Sequence, residues 1–96
     1  MDTILAIDNG TQSIRAMLFD ARGNMLYKSK IDIEPYFSTQ PGWAEQKPEY
    51  FWENVCAACH QLWEMCGTEK ESIKAVVVTA QRNTLVNVDE NGNSLR

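Results

Sequence analysis

Two β-type runs joined by a short polar loop open the chain. The first run, residues 3–7, is apolar on both faces and leads into a single carboxylate, Asp8. A loop of small and polar residues follows, and a second, more clearly alternating run begins at Ser13. This pattern predicts a β-hairpin over residues 4–20, with Asp8, Gly10 and Thr11 at its tip.

The hairpin tip is open to two interpretations. A loop without bulky side chains lets backbone N–H groups converge on an anion, and the hydroxyls of Thr11 and Ser13 add donors. Asp8 would repel a phosphate directly, so its natural role is to hold Mg²⁺ between itself and the phosphate oxygens. An ordinary hairpin turn, with Gly10 supplying a positive φ, explains the same residues. The local pattern does not decide between the two.

The length and charge of the chain limit its class. Its 96 residues suffice for one small domain, and its formal net charge is −4. No basic patch occurs, which argues against nucleic acid or an anionic membrane as the main partner. No apolar run approaches the ~20 residues of a membrane span, and no basic signal-peptide segment precedes the first strand. We therefore expect a cytoplasmic protein.

The remaining chain predicts two strands, one helix and a second hairpin. Residues 25–33 form a strand whose polar second face suggests the sheet edge. A helix over residues 48–66 begins at Pro48 and stops at Gly67. Its apolar side is wide enough to pack on a sheet, and it consists of Phe51, Trp52, Val55, Cys56, Ala58, Cys59, Leu62, Trp63, Met65 and Cys66.

The run 73–79 predicts a strand covered on both faces, as does the first strand. Because strand, helix and strand make a right-handed crossover unit, this strand should be parallel to an earlier one. The Asn91-Gly92 step predicts the second hairpin.

Three cysteines and the single histidine fall within the predicted helix. A zinc site would need a fourth ligand or a second pair, so Cys56, Cys59 and Cys66 are interpreted as small core residues. His60 lies on the polar side of the helix and is expected to be solvated.

The directions of the predicted strands place two loops at one edge of the sheet. Asp8 lies at the carboxyl end of the first strand, and Gln81 and Arg82 lie just past the carboxyl end of the fourth. If these strands are parallel neighbours, the two loops share one rim, which is where open sheets bind ligands.

Four motifs follow one another along the chain: Asp8-x-Gly10-Thr11-x-Ser13-x-Arg15, Phe19-Asp20 with Gly23-Asn24, Pro41-Gly42-Trp43-Ala44-Glu45-Gln46-x-Pro48-Glu49, and Val78-Thr79-x-Gln81-Arg82. Their order and spacing resemble those of the FGGY carbohydrate kinases, which include glycerol kinase and xylulose kinase. The chain resembles this family over residues 4–95. The resemblance implies an α/β fold that is part of a ribonuclease H-like (actin-like ATPase) domain with a mixed sheet.

The resemblance also implies an activity and a set of site residues. The activity is transfer of the γ-phosphoryl group of ATP to a hydroxyl of a sugar or polyol. Asp8 would help to hold Mg²⁺. Arg15 would join the phosphate site or pair with an acid across the sheet, and Gln81, Arg82 and Asn83 would contact the substrate. The loop that faces the phosphates would consist of Asp8, Asn9, Gly10, Thr11, Gln12 and Ser13.

The substrate segment departs from two members of the family. Glycerol kinases have an acid where Asn83 stands, and an amide offers one acceptor and one donor group in place of a full charge. Xylulose kinases have a Met-His pair in place of Arg82 and Asn83. We therefore expect a polyhydroxylated substrate of a third kind.

The general base and the adenosine pocket of the family lie further along than residue 96. We expect residues 1–96 to be the N-terminal part of the first kinase domain, without a catalytic residue of their own and inactive alone. A non-catalytic structural or oligomerisation module that reuses the actin-like sheet is the alternative. Either way, the chain should expose apolar surface and an unpaired edge, so that it self-associates; the full-length enzyme would be a homo-oligomer.

Overall fold

A four-stranded mixed sheet with one long helix on one face forms the fold. The computed structural model describes residues 2–34, 40–41, 47–79 and 86–95, with the backbone alone at positions 68 and 69. The sheet has the strand order β3-β2-β1-β4. In chain order the elements are β1 (Thr3–Asn9), β2 (Ser13–Asp20), β3 (Met25–Asp32), α1 (Pro48–Cys66), a 3₁₀ helix (Gly67–Ser72) and β4 (Ile73–Thr79).

The strand β1 is paired on both sides. It is antiparallel to β2 and parallel to β4, so the predicted hairpin and the predicted parallel crossover are both confirmed. Among the strands that the structure describes, β3 pairs with β2 alone and lies at an edge of the sheet, as its polar face predicted. The second predicted hairpin is also present, since Val88 and Ser94 form an antiparallel bridge around the turn at Gly92.

The helix α1 begins and ends where the sequence predicts. Pro48 occupies the first turn, where its missing N–H leaves no hydrogen bond unmade. Gly67 ends the helix with a φ of 56°, and its N–H donates to the carbonyl of Trp63. A left-handed backbone of this kind suits glycine because it has no Cβ. Within the described part of the chain, no helix has the length and apolar character that a bilayer crossing requires.

The core lies between α1 and one face of the sheet. Ala58 and Leu62 of the helix are completely buried. They pack with buried residues from the strands and the segment after β3, namely Leu5, Ile7, Ile14, Ala16 and Ile33. The buried hydroxyl of Ser29 donates to the carbonyl of Ala58 at 2.6 Å, which ties β3 to the helix. Two residues that were predicted on the packed side are exposed instead: Trp52 by 68% and Met65 by 44%. The helix therefore buries a narrower stripe than its composition suggested.

The strand β4 is apolar but uncovered. Val76, Val77 and Val78 are exposed by 56%, 52% and 59%, and Ile4 on β1 by 37%. The prediction that β1 and β4 are covered on both faces is therefore wrong for this chain. Burial on both faces requires a layer on each side, whereas the described residues supply one helix, which packs mainly on β2 and β3. The expected apolar surface and open edge are confirmed for the described residues, among which β4 ends the sheet order.

Two turns share one Asp-x-x-Gly-Asn pattern and one set of hydrogen bonds. Asp20 accepts hydrogen bonds from the backbone N–H groups of Arg22 and Asn24 and from the side-chain amide of Asn24. These donors, with Asn24 the largest contributor, hold the pKa of Asp20 below its usual 3.8. Asp89 has the same arrangement with Asn91 and Asn93, and its pKa is lowered in the same way.

We predict that the Asp20 carboxylate stabilises the fold in a pH-dependent way. Because its pKa is lowered in the fold, its contribution is complete above the unfolded-state pKa near 3.8 and is lost as the pH falls through the lowered value. In urea unfolding, the stability difference between the wild type and Asp20→Asn should shrink as the pH falls from about 7 to about 2. Asp89→Asn is the control, because it changes a turn of the same type that lies outside the sheet; it should leave global unfolding unaffected. A difference for Asp20→Asn that stays constant with pH would contradict the prediction.

We also predict that the 96-residue chain self-associates through β4, because an exposed apolar edge strand pairs readily with another chain. Val77→Lys places a charge on this strand and should lower the mass measured by light scattering. Val88→Lys is the matched control, since Val88 is 51% exposed and lies outside the sheet. A monomer at high concentration for the unchanged chain would contradict the prediction.

Candidate functional site

A polar row crosses the sheet at the end of β1. Lys30, Arg15, Asp8 and Thr79 lie directly opposite one another on β3, β2, β1 and β4. Opposite residues on neighbouring strands point to the same face. Because Leu5 and Ile7 face α1, the alternation of β1 directs Asp8 to the other face. The polar row therefore lies on the open face of the sheet.

Asp8 is the centre of the polar row. The hydroxyl of Thr79 donates to Oδ1 of Asp8 at 2.8 Å, and Nη1 of Arg15 donates to Oδ2 at 3.1 Å. A carboxylate offers about four lone-pair positions, two on each oxygen. Each oxygen of Asp8 therefore keeps acceptor capacity beyond these two hydrogen bonds.

Arg15 forms an ion pair with Asp8. The interpretation that this arginine pairs with an acid across the sheet is confirmed, and its contact with phosphate stays a prediction. Both side chains are substantially exposed, at 42% for Arg15 and 37% for Asp8. Ion pairs with this much solvent access contribute about 0.2–1 kcal/mol. An anion that approaches the guanidinium therefore has little pairing energy to overcome.

Gly10 is required at the tip by a close approach, not by a positive φ. Its N–H donates to the carbonyl of Ser13 at 3.0 Å. A Cβ at position 10 would lie 2.9 Å from that same oxygen, which is closer than real Cβ contacts allow. The glycines with a positive φ in the described chain are Gly23, Gly67 and Gly92. Gly10 is not among them, so the prediction of a positive φ at Gly10, which the ordinary-turn interpretation made, is wrong.

The other tip residues have distinct surroundings. The side-chain amide of Asn9 donates to the carbonyl of Thr79 at 3.3 Å, which is a second link between β1 and β4. Thr11 and Gln12 are exposed, and Ser13 is half-buried at the start of β2. The carbonyl of Gln12 accepts from the N–H of Ile33, so the tip is also held to the end of β3.

The donor set at Asp8 fits a magnesium ion that is bound largely by other ligands. Mg²⁺ prefers oxygen, keeps several waters and is commonly bound through one or two carboxylates together with substrate phosphates. Asp8 supplies one accessible carboxylate with free lone pairs. Among the described residues, no group of three or more His, Cys, Asp or Glu side chains converges as an all-protein metal cage would require.

The cysteines and the histidine of α1 lie apart from the polar row. Cys66 is buried, Cys56 and Cys59 are half-buried, and all three are free thiols. Burial, with a smaller effect from Cys56, raises the pKa of the Cys59 thiol. A raised pKa disfavours the thiolate that metal binding or nucleophilic attack needs. His60 is exposed, as expected.

The predicted substrate residues Gln81, Arg82 and Asn83 lie outside the described residues. The strand arrangement on which their placement depends is nevertheless confirmed, since β4 is parallel to β1 and ends at Thr79, opposite Asp8. That their side chains share a rim with the hairpin tip stays a prediction. Sequence reasoning assigned no role to Thr79, although its place at the end of an expected parallel strand was a usable signal.

The sheet order and the hairpin at the end of β1 define part of an actin-like, ribonuclease H-like ATPase domain. Xylulose kinase from Rhodospirillum rubrum has a TM-score of 0.84 at 26% identity, and covers 98% of this chain and 19% of its own. Plasmodium falciparum glycerol kinase, solved with ADP, has a TM-score of 0.72 at 27% identity over 100% of this chain and 19% of its own.

The chain belongs to the FGGY family of carbohydrate kinases, because residues 3–96 match the N-terminal domain of that family. Glycerol kinase 2 of Thermotoga maritima is 34% identical over 91 residues, which are 95% of this chain and 18% of the relative. The chain thus spans less than a fifth of the length of this relative.

We predict that Gly10→Ala loosens the hairpin tip. The added Cβ pushes away the carbonyl of Ser13, to which the amide at position 10 donates. Overpacking of this kind costs about 1–3 kcal/mol, so hydrogen exchange of that amide should accelerate roughly 5- to 150-fold. Gln12→Ala is the control at the same tip, since its side chain is exposed. Unchanged exchange in Gly10→Ala would show that the tip relaxes freely.

Proposed function

We propose that the chain is the N-terminal part of the first domain of an ATP-dependent carbohydrate kinase. The enzyme transfers the γ-phosphoryl group of ATP to a hydroxyl of a sugar or polyol. One observation carries the proposal: Asp8 lies at the carboxyl end of β1, between the donors Arg15 and Thr79, beside a loop that excludes a Cβ at Gly10. Membership of the FGGY family supports it.

In this proposal the hairpin tip receives the phosphates of ATP. The tight turn at Gly10 carries no side chain, and Thr11 and Ser13 offer hydroxyl donors. Asn9 holds the tip to β4, and Gln12 holds it to the end of β3. Asp8 would hold Mg²⁺. When bound, this ion neutralises charge on the phosphate oxygens, which phosphoryl transfer requires.

Arg15 has two roles in the proposal. It neutralises Asp8 through the ion pair. With nucleotide its guanidinium can turn towards a phosphate oxygen, because the exposed pair contributes only about 0.2–1 kcal/mol and arginine suits phosphate geometry.

The substrate is proposed to be read by Gln81, Arg82 and Asn83. The parallel pairing of β1 and β4 supports this, since the segment that carries them begins at the end of the sheet where Asp8 lies. An arginine with two amides supplies both donors and acceptors, as a polyhydroxylated substrate needs. In this proposal Asn83 disfavours glycerol, and the pair of Arg82 and Asn83 disfavours xylulose.

The general base and the adenosine pocket are proposed to lie outside residues 1–96, so this chain alone is expected to be inactive. We also propose a cytoplasmic location, because a reducing compartment keeps thiols such as Cys56, Cys59 and Cys66 free. For the full-length protein, a homo-oligomer stays a prediction.

A non-catalytic structural or oligomerisation module is the second candidate. The uncovered valines of β4 favour it, because they offer an edge and an apolar face for another chain. One measurement on the full-length protein separates the two candidates: a kinase turns over ATP in the presence of some sugar or polyol, whereas a structural module does not.

We predict that Asp8→Asn in the full-length protein lowers kcat by about 10²-fold or more, because a preorganised charge at the phosphates is lost. The substrate is first identified with a panel of sugars and polyols and ATP. Turnover is then measured at saturating ATP, substrate and Mg²⁺. Asp32→Asn is the matched control, since Asp32 is an exposed acid of the same sheet that pairs with Lys30. Unchanged turnover in Asp8→Asn would refute the metal role.

A further inference from the structure

We propose that Thr79 is a positioning residue that holds the carboxylate of Asp8 for the metal–nucleotide complex; this rests on the proposed function. The last residue of β4 is Thr79, and it lies directly opposite Asp8 in the parallel pair. Its hydroxyl donates to Oδ1 of Asp8 at 2.8 Å. Residue 79 therefore connects the strand that precedes the substrate segment with the acid of the phosphate hairpin.

The two hydrogen bonds to Asp8 are expected to respond differently when a phosphate binds. The guanidinium of Arg15 is the donor that a phosphate would recruit, because it is exposed and carries the charge that an anion seeks. The hydroxyl of Thr79 is neutral and has no comparable attraction for a phosphate. When Arg15 turns away, Thr79 is the donor that still fixes the orientation of the carboxylate.

The backbone around Thr79 makes its hydroxyl a rigid donor. Threonine is β-branched, so its χ1 angle is restricted in a strand. The carbonyl of the same residue accepts the side-chain amide of Asn9, which anchors it to the end of β1. The hydroxyl is thus presented from a strand end that the side chain of Asn9 ties to the hairpin.

A second hydroxyl contact between the same two segments of the chain serves as a control for a purely structural role of the Thr79–Asp8 hydrogen bond. At the opposite end, the hydroxyl of Thr3 and the hydroxyl of Ser72 are 2.8 Å apart and link β1 to the residue before β4. That contact lies far from Asp8 in the register. Ser72→Ala therefore removes a hydroxyl contact between the same two segments without touching the site.

The test compares Thr79→Val, Thr79→Ser and Ser72→Ala in the full-length protein. Valine keeps the β-branched shape and removes the donor, and the exposed position tolerates it. Mutation of a residue that orients a metal ligand typically lowers metal affinity or activity 10- to 100-fold. We expect Mn²⁺ binding in the presence of ADP, followed by electron paramagnetic resonance, to weaken about tenfold in Thr79→Val.

In the same variant kcat should fall by a similar factor, and the KM of the sugar or polyol should stay within about twofold of wild type. Thr79→Ser should restore both values, and Ser72→Ala should leave both at wild type. Wild-type Mn²⁺ affinity in Thr79→Val, or the same losses in Ser72→Ala, would overturn the proposal.

Asp8→Asn separates this proposal from the one on which it rests. Loss of Mn²⁺ affinity in Asp8→Asn with wild-type affinity in Thr79→Val rejects the positioning role alone. Wild-type affinity in both variants rejects the metal role of Asp8 and the positioning role together.

Discussion

The pairing of β1 on both sides is the constraint on which the rest of the structure depends. It places Arg15 and Thr79 directly beside Asp8, although they are separated from it by 7 and 71 positions in the chain. A slip of one residue in either pairing would turn one partner to the opposite face. For the pairing of β1 with β2, buried residues on the other face hold the register, because a slip of β2 would expose Ile14 and Ala16 to water.

Alternation along β2 connects stability with the site. Ile14, Ala16 and Leu18 are completely buried, whereas Arg15 lies between them on the open face. The core is therefore built on one face and the charged groups on the other. This separation explains how an exposed, weakly paired acid can be held in a defined place: its backbone is part of a packed strand, even though its side chain is half-exposed.

Local signals predicted the elements well and their burial less well. The positions of Pro48 and Gly67 predicted α1 correctly, because caps act within one turn of the chain. The burial of Val76, Val77 and Val78 was predicted wrongly, because burial depends on which layers lie above and below a strand. The burial of Trp52 was predicted wrongly for the same reason. The positive φ that the ordinary-turn interpretation gave to Gly10 is wrong, since the need for glycine comes from the nearby carbonyl of Ser13.

The sequence by itself determined the hairpin, the helix and the parallel strand, because periodicity, turn residues and caps act over a few positions. It also indicated the candidate acid, Asp8. Only the tertiary structure decided what surrounds that acid. The hydrogen bond from Thr79 depends on the register between two strands whose paired residues are 71 positions apart, and no local pattern specifies such a register. The physical reason is that a strand register is set by contacts between residues that lie far apart in the chain, which a local pattern does not contain.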